Sequence, residues 1–266
     1  MLRRAVISVT MLAVAITVAC VPGLAAAAPT VTFKVKAVPI PGYRGTGNIL
    51  GAGAALEVKY TIKGSEYGGF PPPLIGVNFF TPAGTKLNTH GFATCAPSAL
   101  QNFGPRACPR KSRVTISGSA LGVVSFGSER VDERASIAAF FAPGGALQFY
   151  TAGRSPVSLE FLSPSHVAKA HAPYAQEFVT SVPLIETVPG APDASALSIG
   201  LKIGAAMRHG KRVSYYGRVP KRCPKGGFPL KSELLFAAVS GLPPQTVTVN
   251  YKAPCPRAHH RKHHHR

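Results

Sequence analysis

Apolar and polar residues alternate along much of this chain. In Val31-Thr32-Phe33-Lys34-Val35-Lys36 every second residue is apolar, and Leu56-Glu57-Val58-Lys59-Tyr60-Thr61-Ile62-Lys63 extends the same rhythm. A period of two sends successive side chains to opposite faces of a strand, so both segments predict half-buried β-strands. Further strand-like runs are Leu74–Phe80, Arg113–Leu121, Val131–Phe141, Leu147–Tyr150, Val157–Leu162 and Phe178–Leu184. A C-terminal set comprises Ser195–Ile203, Arg212–Arg218, Lys231–Ala238 and Thr246–Lys252. Clusters of Gly and Pro at 39–47, 64–73 and 81–84 separate strands with turns. The pattern predicts an all-β fold of the β-sandwich or jelly-roll kind. It has one interruption. Ala96–Phe103 places Pro early and ends at Gly104-Pro105, which predicts one short helix between Cys95 and Cys108.

Composition agrees with that class. The 27 Gly and 25 Pro suit many turns, and a hydrophobic fraction of 45% supports a folded core. With no Trp, the 14 Phe and 8 Tyr must supply the aromatic packing.

The first 27 residues read as a signal peptide. Arg3 and Arg4 precede the uncharged apolar run Ala5–Ala19, and Ala25-Ala26-Ala27 offers a small-residue cleavage site before Ala28-Pro29. Lipid attachment at Cys20 is the alternative fate of this leader, and an uncleaved membrane anchor is another. No later run is long and apolar enough to span a bilayer, which leaves the mature chain without a transmembrane segment and predicts a secreted protein, extracellular or held at the cell envelope. Residues 28–256 are the β-rich region, one large domain or two halves divided near 185–194. Residues 257–266 form a basic His-rich tail predicted to be disordered.

Export gives the cysteines a meaning. Cys20 leaves with the leader, and Cys95, Cys108, Cys223 and Cys255 remain. Four cysteines in an oxidising compartment predict two disulfides with three possible connectivities, of which the local pairs Cys95–Cys108 and Cys223–Cys255 are favoured. A zinc site is the rival reading, but no C-x-x-C pair is present.

Thirty Lys and Arg oppose ten Asp and Glu, a formal charge of +20. Such a field attracts anionic polymers; by itself it also serves solubility. The cations concentrate late: from Lys202 onward there are 14 Lys and Arg against the single acid Glu233. Arg208, Lys211, Arg212, Arg218, Lys221, Arg222 and Lys225 are the candidate polyanion-binding residues, with Tyr215 and Tyr216 among them as possible stacking surfaces. An anionic cell-wall polymer or polysaccharide is the partner this suggests; no motif for specific nucleic-acid recognition is present. His259, His260, His263, His264 and His265 are candidate ligands for Ni, Cu or Zn. Oligomeric state is not legible.

Catalytic chemistry finds little support. No G-x-S-x-G elbow or H-E-x-x-H motif occurs. Asp132-Glu133 are adjacent, so in a strand they point to opposite faces. A hydrolase, the remotest reading, needs a cleft joining one of them to a histidine. No catalytic residue or cofactor is implied.

The segments around the cysteines carry a resemblance. Phe92-Ala93-Thr94-Cys95, Gly104-Pro105, Ala107-Cys108-Pro109, Val188–Asp193, Cys223–Lys231 and Thr246–Cys255 are similar to a pattern in secreted proteins of soil actinobacteria to which no function is assigned. The resemblance implies an exported, disulfide-bonded β protein and brings no activity with it. The primary expectation is therefore a secreted, non-catalytic binding or structural module that contacts anionic envelope polymers through its basic C-terminal half. Metal capture by the tail is the alternative.

Overall fold

Eleven strands join one antiparallel sheet in the computed structural model, which describes residues 28–256. In chain order the strands are β1 (Thr30–Val38), β2 (Ala55–Lys63), β3 (Leu74–Pro82), β4 (Lys86–Leu87), β5 (Thr115–Phe126), β6 (Glu129–Phe141), β7 (Leu147–Gly153) and β8 (Leu159–Lys169). They continue with β9 (Tyr174–Ser181), β10 (Ser195–Ile203), β11 (Ala206–His209), β12 (Arg212–Tyr215), β13 (Gly217–Arg218), β14 (Phe228–Phe236) and β15 (Gln245–Ala253). The large sheet runs β1-β2-β10-β5-β6-β7-β8-β9-β3-β14-β15. β11 pairs with β12, and β4 with β13, as two small ribbons. Among the described residues a single α-helix, α1 (Pro97–Phe103), lies between Cys95 and Cys108 as the sequence predicts.

Strand twist accumulates across so many strands, and large twisted sheets curl. Here the curl brings the two edges, β1 and β15, against each other. Their contact is made by side chains: Phe33 meets Tyr251 edge-on with ring centroids 6.3 Å apart, while Phe33 stacks on Tyr60 at 5.1 Å. Phe33, Val35, Val58, Tyr60 and Ile62 from β1 and β2 form one core with Leu74 of β3 and with Leu230, Leu234 and Phe236 of β14. This half packs face on face, as in a sandwich. The Tyr60 hydroxyl crosses it to Ser232 Oγ at 2.9 Å, and Ser232 in turn donates to the Asn78 carbonyl at 2.8 Å. Burial drives the Tyr60 phenol pKa up, so the hydroxyl stays neutral.

Helix α1 covers the outer face. Leu100, fully buried, sits with Cys95 and Cys108 against Ala138, Phe140 and Tyr150 of β6 and β7. Pro97 stands in the first turn, and Gly104 ends the helix with φ at 69°, a conformation open to glycine. Gln148 donates to the Cys95 carbonyl at 2.7 Å, tying the cysteine to β7. The disulfides join Cys95 to Cys108 and Cys223 to Cys255.

Most strand ends shift by a few residues from the sequence reading, and two differences are larger. β8 runs on to Lys169, past Pro164, which stands opposite Gln148 without ending the ladder. The run Arg212–Arg218 is not one strand. It breaks at Tyr216, whose ring turns into the core beside Val114 and Phe141, and the chain changes partner from β11 to β4. Residues 185–194 lie in the connection from β9 to β10, two strands of the same sheet. No helix among the described residues is long and apolar enough to cross a membrane. The leader, residues 1–27, and the tail, residues 257–266 with all five candidate metal ligands, lie outside the described residues.

Two outcomes test this packing. Replacing Cys95 and Cys108 together by Ser removes a 13-residue cross-link, and loop-closure entropy sets the cost at about 3 kcal/mol, readable from urea unfolding. Tyr60→Phe deletes a partnered hydroxyl and costs about 1 kcal/mol by the same measurement, whereas Tyr216→Phe deletes a buried hydroxyl with no partner and is neutral or stabilising.

Candidate functional site

Antiparallel order sorts the connections into two sets at opposite ends of the rolled sheet. At one end lie residues 39–54, 83–114, 142–146, 170–173 and 204–227. These contain one, five, none, none and seven Lys or Arg, in that order, and no Asp or Glu. At the other end, connections 64–73, 127–128, 154–158, 182–194 and 237–244 carry the acids Glu66, Glu186 and Asp193 against Arg154 alone. The charge is thus polarised from end to end.

The basic end is an ordered platform. β13 pairs with β4, the Asn88 N–H donates to the Tyr216 carbonyl at 2.8 Å, and the Val219 N–H donates to the Ala52 carbonyl at 3.0 Å. Those bonds knit three connections together. Tyr43 donates its hydroxyl to the Ala206 carbonyl at 2.9 Å and meets Tyr215 edge-on at 6.4 Å. Between these connections lies a depression of about 530 Å³, with Arg110, Lys111, Arg113 and Arg208 on its walls and Tyr43 and Phe92 among its apolar residues. All four cations are exposed.

The residues singled out from sequence fall on this end. Arg208, Lys211 and Arg212 are exposed on the β11–β12 hairpin, and Lys221, Arg222 and Lys225 are exposed in the connection that follows β13. Arg218 is half-buried. Its guanidinium lies 4.7 Å from the Tyr215 ring centroid and donates to the Gly51 carbonyl at 3.3 Å, so it braces the platform. Neither tyrosine is a free stacking surface. Tyr216 is a core residue, and Tyr215 is occupied by Tyr43 and Arg218. Sequence reasoning missed Arg110, Lys111 and Arg113. They belong to the first half of the chain and meet Arg208 only because the 83–114 connection returns to the same end.

Near this end the carboxylate of Glu57 is fully engaged. Strand register places Lys36 of β1 and Lys202 of β10 directly on either side of it. The lysines Lys36, Lys59 and Lys202 lie 3.4, 3.4 and 3.6 Å from its oxygens. Partial burial opposes the charge, yet the lysines prevail and hold the Glu57 pKa below the usual carboxylate value. At the acidic end, burial and the nearby Glu186 charge raise the Asp193 carboxyl above its usual value. There Arg130 lies against the rings of Tyr67 and Phe70 and donates to the Tyr67 and Asp193 carbonyls, pinning two connections.

Asp132 faces out and is exposed, while Glu133 faces in and is buried, the opposite-face placement expected of neighbours in a strand. The four histidines of the body, His90, His166, His171 and His209, are exposed, and none lines the interior. Among the described residues no group of three or more His, Cys, Asp or Glu is placed to hold a metal ion. Comparison with protein-family models, with curated proteins and with solved structures finds no match for this chain.

The Glu57 cluster has a defined pH signature. A carboxyl whose pKa falls on folding contributes stability above its unfolded value, about 4.3, and loses that contribution as pH drops through its lower folded value. Glu57→Gln is therefore less stable than the parent at pH 7, and the gap between their urea midpoints narrows as pH falls below about 4.

Proposed function

We propose that the chain is an exported, non-catalytic binding module that holds anionic envelope polymers on its basic end. The observation that carries this reading is the convergence of Arg110, Lys111, Arg113 and Arg208, from two distant parts of the chain, around one depression on an acid-free end. Two disulfides fit an oxidising compartment. Cations fixed on a knitted platform lose less freedom on binding than cations on loose chain, so the same charge supports tighter contact. A polymer with regularly spaced negative charges suits a surface of spaced point charges. Lys and Arg contacts release the polymer's counterions, which makes affinity fall steeply with salt.

The test is retention of the mature protein on immobilised polyglycerol phosphate across a salt series. The parent protein should be retained at low salt and released as salt rises. The fourfold variant Arg110→Ala, Lys111→Ala, Arg113→Ala, Arg208→Ala should lose about three units of slope in log affinity against log salt, by counterion release at four sites. Lys34→Ala with Lys63→Ala, on the outer face of β1 and β2, should change the slope much less. Equal retention of parent and fourfold variant, or no retention at low salt, overturns the reading. Loss only on deleting residues 257–266 transfers the binding to the tail.

A further inference from the structure

The interior of the rolled sheet is not filled. Inward positions of every long strand surround a cavity of about 310 Å³, walled by side chains such as Val58, Ile137, Phe149, Phe161, Phe178 and Leu201. The open space has a local cause. Ala120 of β5 stands directly opposite Ala135 of β6, Gly122 stands opposite Glu133, and Ala135 stands opposite Gly153 of β7. Small residues cluster where neighbouring strands could have carried large ones, so the wall recedes there.

Glu133 stands in that receding wall. It is 2% exposed. Its Oε2 accepts a hydrogen bond from the Val157 N–H at 3.0 Å, while its Oε1 is buried with no partner. Gly153 leaves room for it: a Cβ at that position would collide with Oε1. Among the described residues no Lys, Arg or His forms a salt bridge with this carboxyl. A buried acceptor without a donor is unfavourable in an apolar setting. A mostly apolar cavity with a few placed polar groups, here Glu133 together with hydroxyls such as Thr151, Ser163 and Thr180, is instead the usual form of a small-molecule site, where the polar groups set the ligand's orientation.

We propose that this cavity binds an apolar small molecule bearing one hydrogen-bond-donating head, an alcohol or a primary amine, with the head on Glu133 and the hydrocarbon among the inward side chains. A cavity of about 150 Å³ takes a benzene molecule, so this one suits a body of about twelve carbons. The basic end closes one side of the cavity, since Ala54, Leu87, Arg218 and Val219 also line it; the contacts proposed for this ligand do not use the exposed cations of that end. A carboxylate-headed molecule of the same length is disfavoured, because it brings a second acceptor to Glu133 with no donor between them.

The test uses the fluorescent aromatic amine 1-aminoanthracene with the mature protein. Its emission should rise saturably, with one site per chain. Decylamine and 1-decanol should displace it, and decanoate should do so at least tenfold less well, the loss of one hydrogen bond to a carboxyl oxygen. Ala135→Phe fills the receded wall and should abolish the signal. Glu133→Leu keeps an apolar side chain in the wall and should erase the preference for decanol over decanoate; thermal unfolding checks that each variant is folded. If Ala135→Phe does not fold, Glu133→Leu alone decides. Absence of saturable binding by the parent overturns the proposal. So does a signal that survives Ala135→Phe in a folded chain, or a head-group preference unchanged in Glu133→Leu.

Discussion

The fold rests on a closure made without backbone hydrogen bonds. β1 and β15 lie at the two edges of the large sheet and meet through side chains, with Phe33 between Tyr60 and Tyr251 and also edge-on to Phe79. An edge strand left open offers its backbone to any passing strand. Here an apolar seam rather than a ladder brings the edges together, which makes closure dependent on the hydrophobic effect and on aromatic geometry. β15 alternates Val247, Val249 and Tyr251 inward, and β1 does the same with Val31, Phe33 and Val35. Breaking that alternation at either edge would open the roll.

Closure also decides where charge goes. In an antiparallel roll every connection returns to one of two ends, so residues far apart in sequence become neighbours. Arg110 and Arg208 are separated by nearly a hundred positions and share one depression. On the sheet surface between the ends acids and bases interleave, as the lysines gathered on Glu57 illustrate. The basic end does not, since its connections hold no acid. Net charge of +20 is therefore a poor description of this molecule. Its field is that of a dipole with an excess at one pole, and a dipole orients an anionic partner as well as attracting it.

Sequence reasoning reached the long strands of the large sheet, the helix and both disulfides because each is written in local pattern: period-two alternation, Pro-to-Gly spacing and short intervals between cysteines. It failed where the determining contact was distant. Nothing in Arg212–Arg218 indicates that Tyr216 turns inward, because that depends on Val114 and Phe141 arriving from other strands. The basic face was read as a property of the C-terminal half, since adjacency in sequence was the only adjacency available; Arg110, Lys111 and Arg113 needed the topology. The interior cavity was equally hidden. Ala120, Gly122, Ala135 and Gly153 look ordinary singly, and only the register that pairs them shows a common recess.

That recess follows from the number of strands. A closed sheet of about eight strands has an interior that side chains just fill, and the diameter grows with each strand added. Eleven strands exceed that number. A larger roll can flatten, filling its centre with bulky side chains, or stay round and hold something. This chain does both in different places. Phe33, Tyr60, Leu234 and Phe236 fill the flattened half around the seam. Where Ala120 and Gly122 of β5, Ala135 of β6 and Gly153 of β7 meet, the inward residues are small, and the carboxyl of Glu133 stands among them. A sequence selected only for a tight core would place bulk at Ala120 and Ala135 and an apolar residue at Glu133, as it does along the seam. The contrast between the two halves of one sheet marks the open half as a site rather than a packing fault.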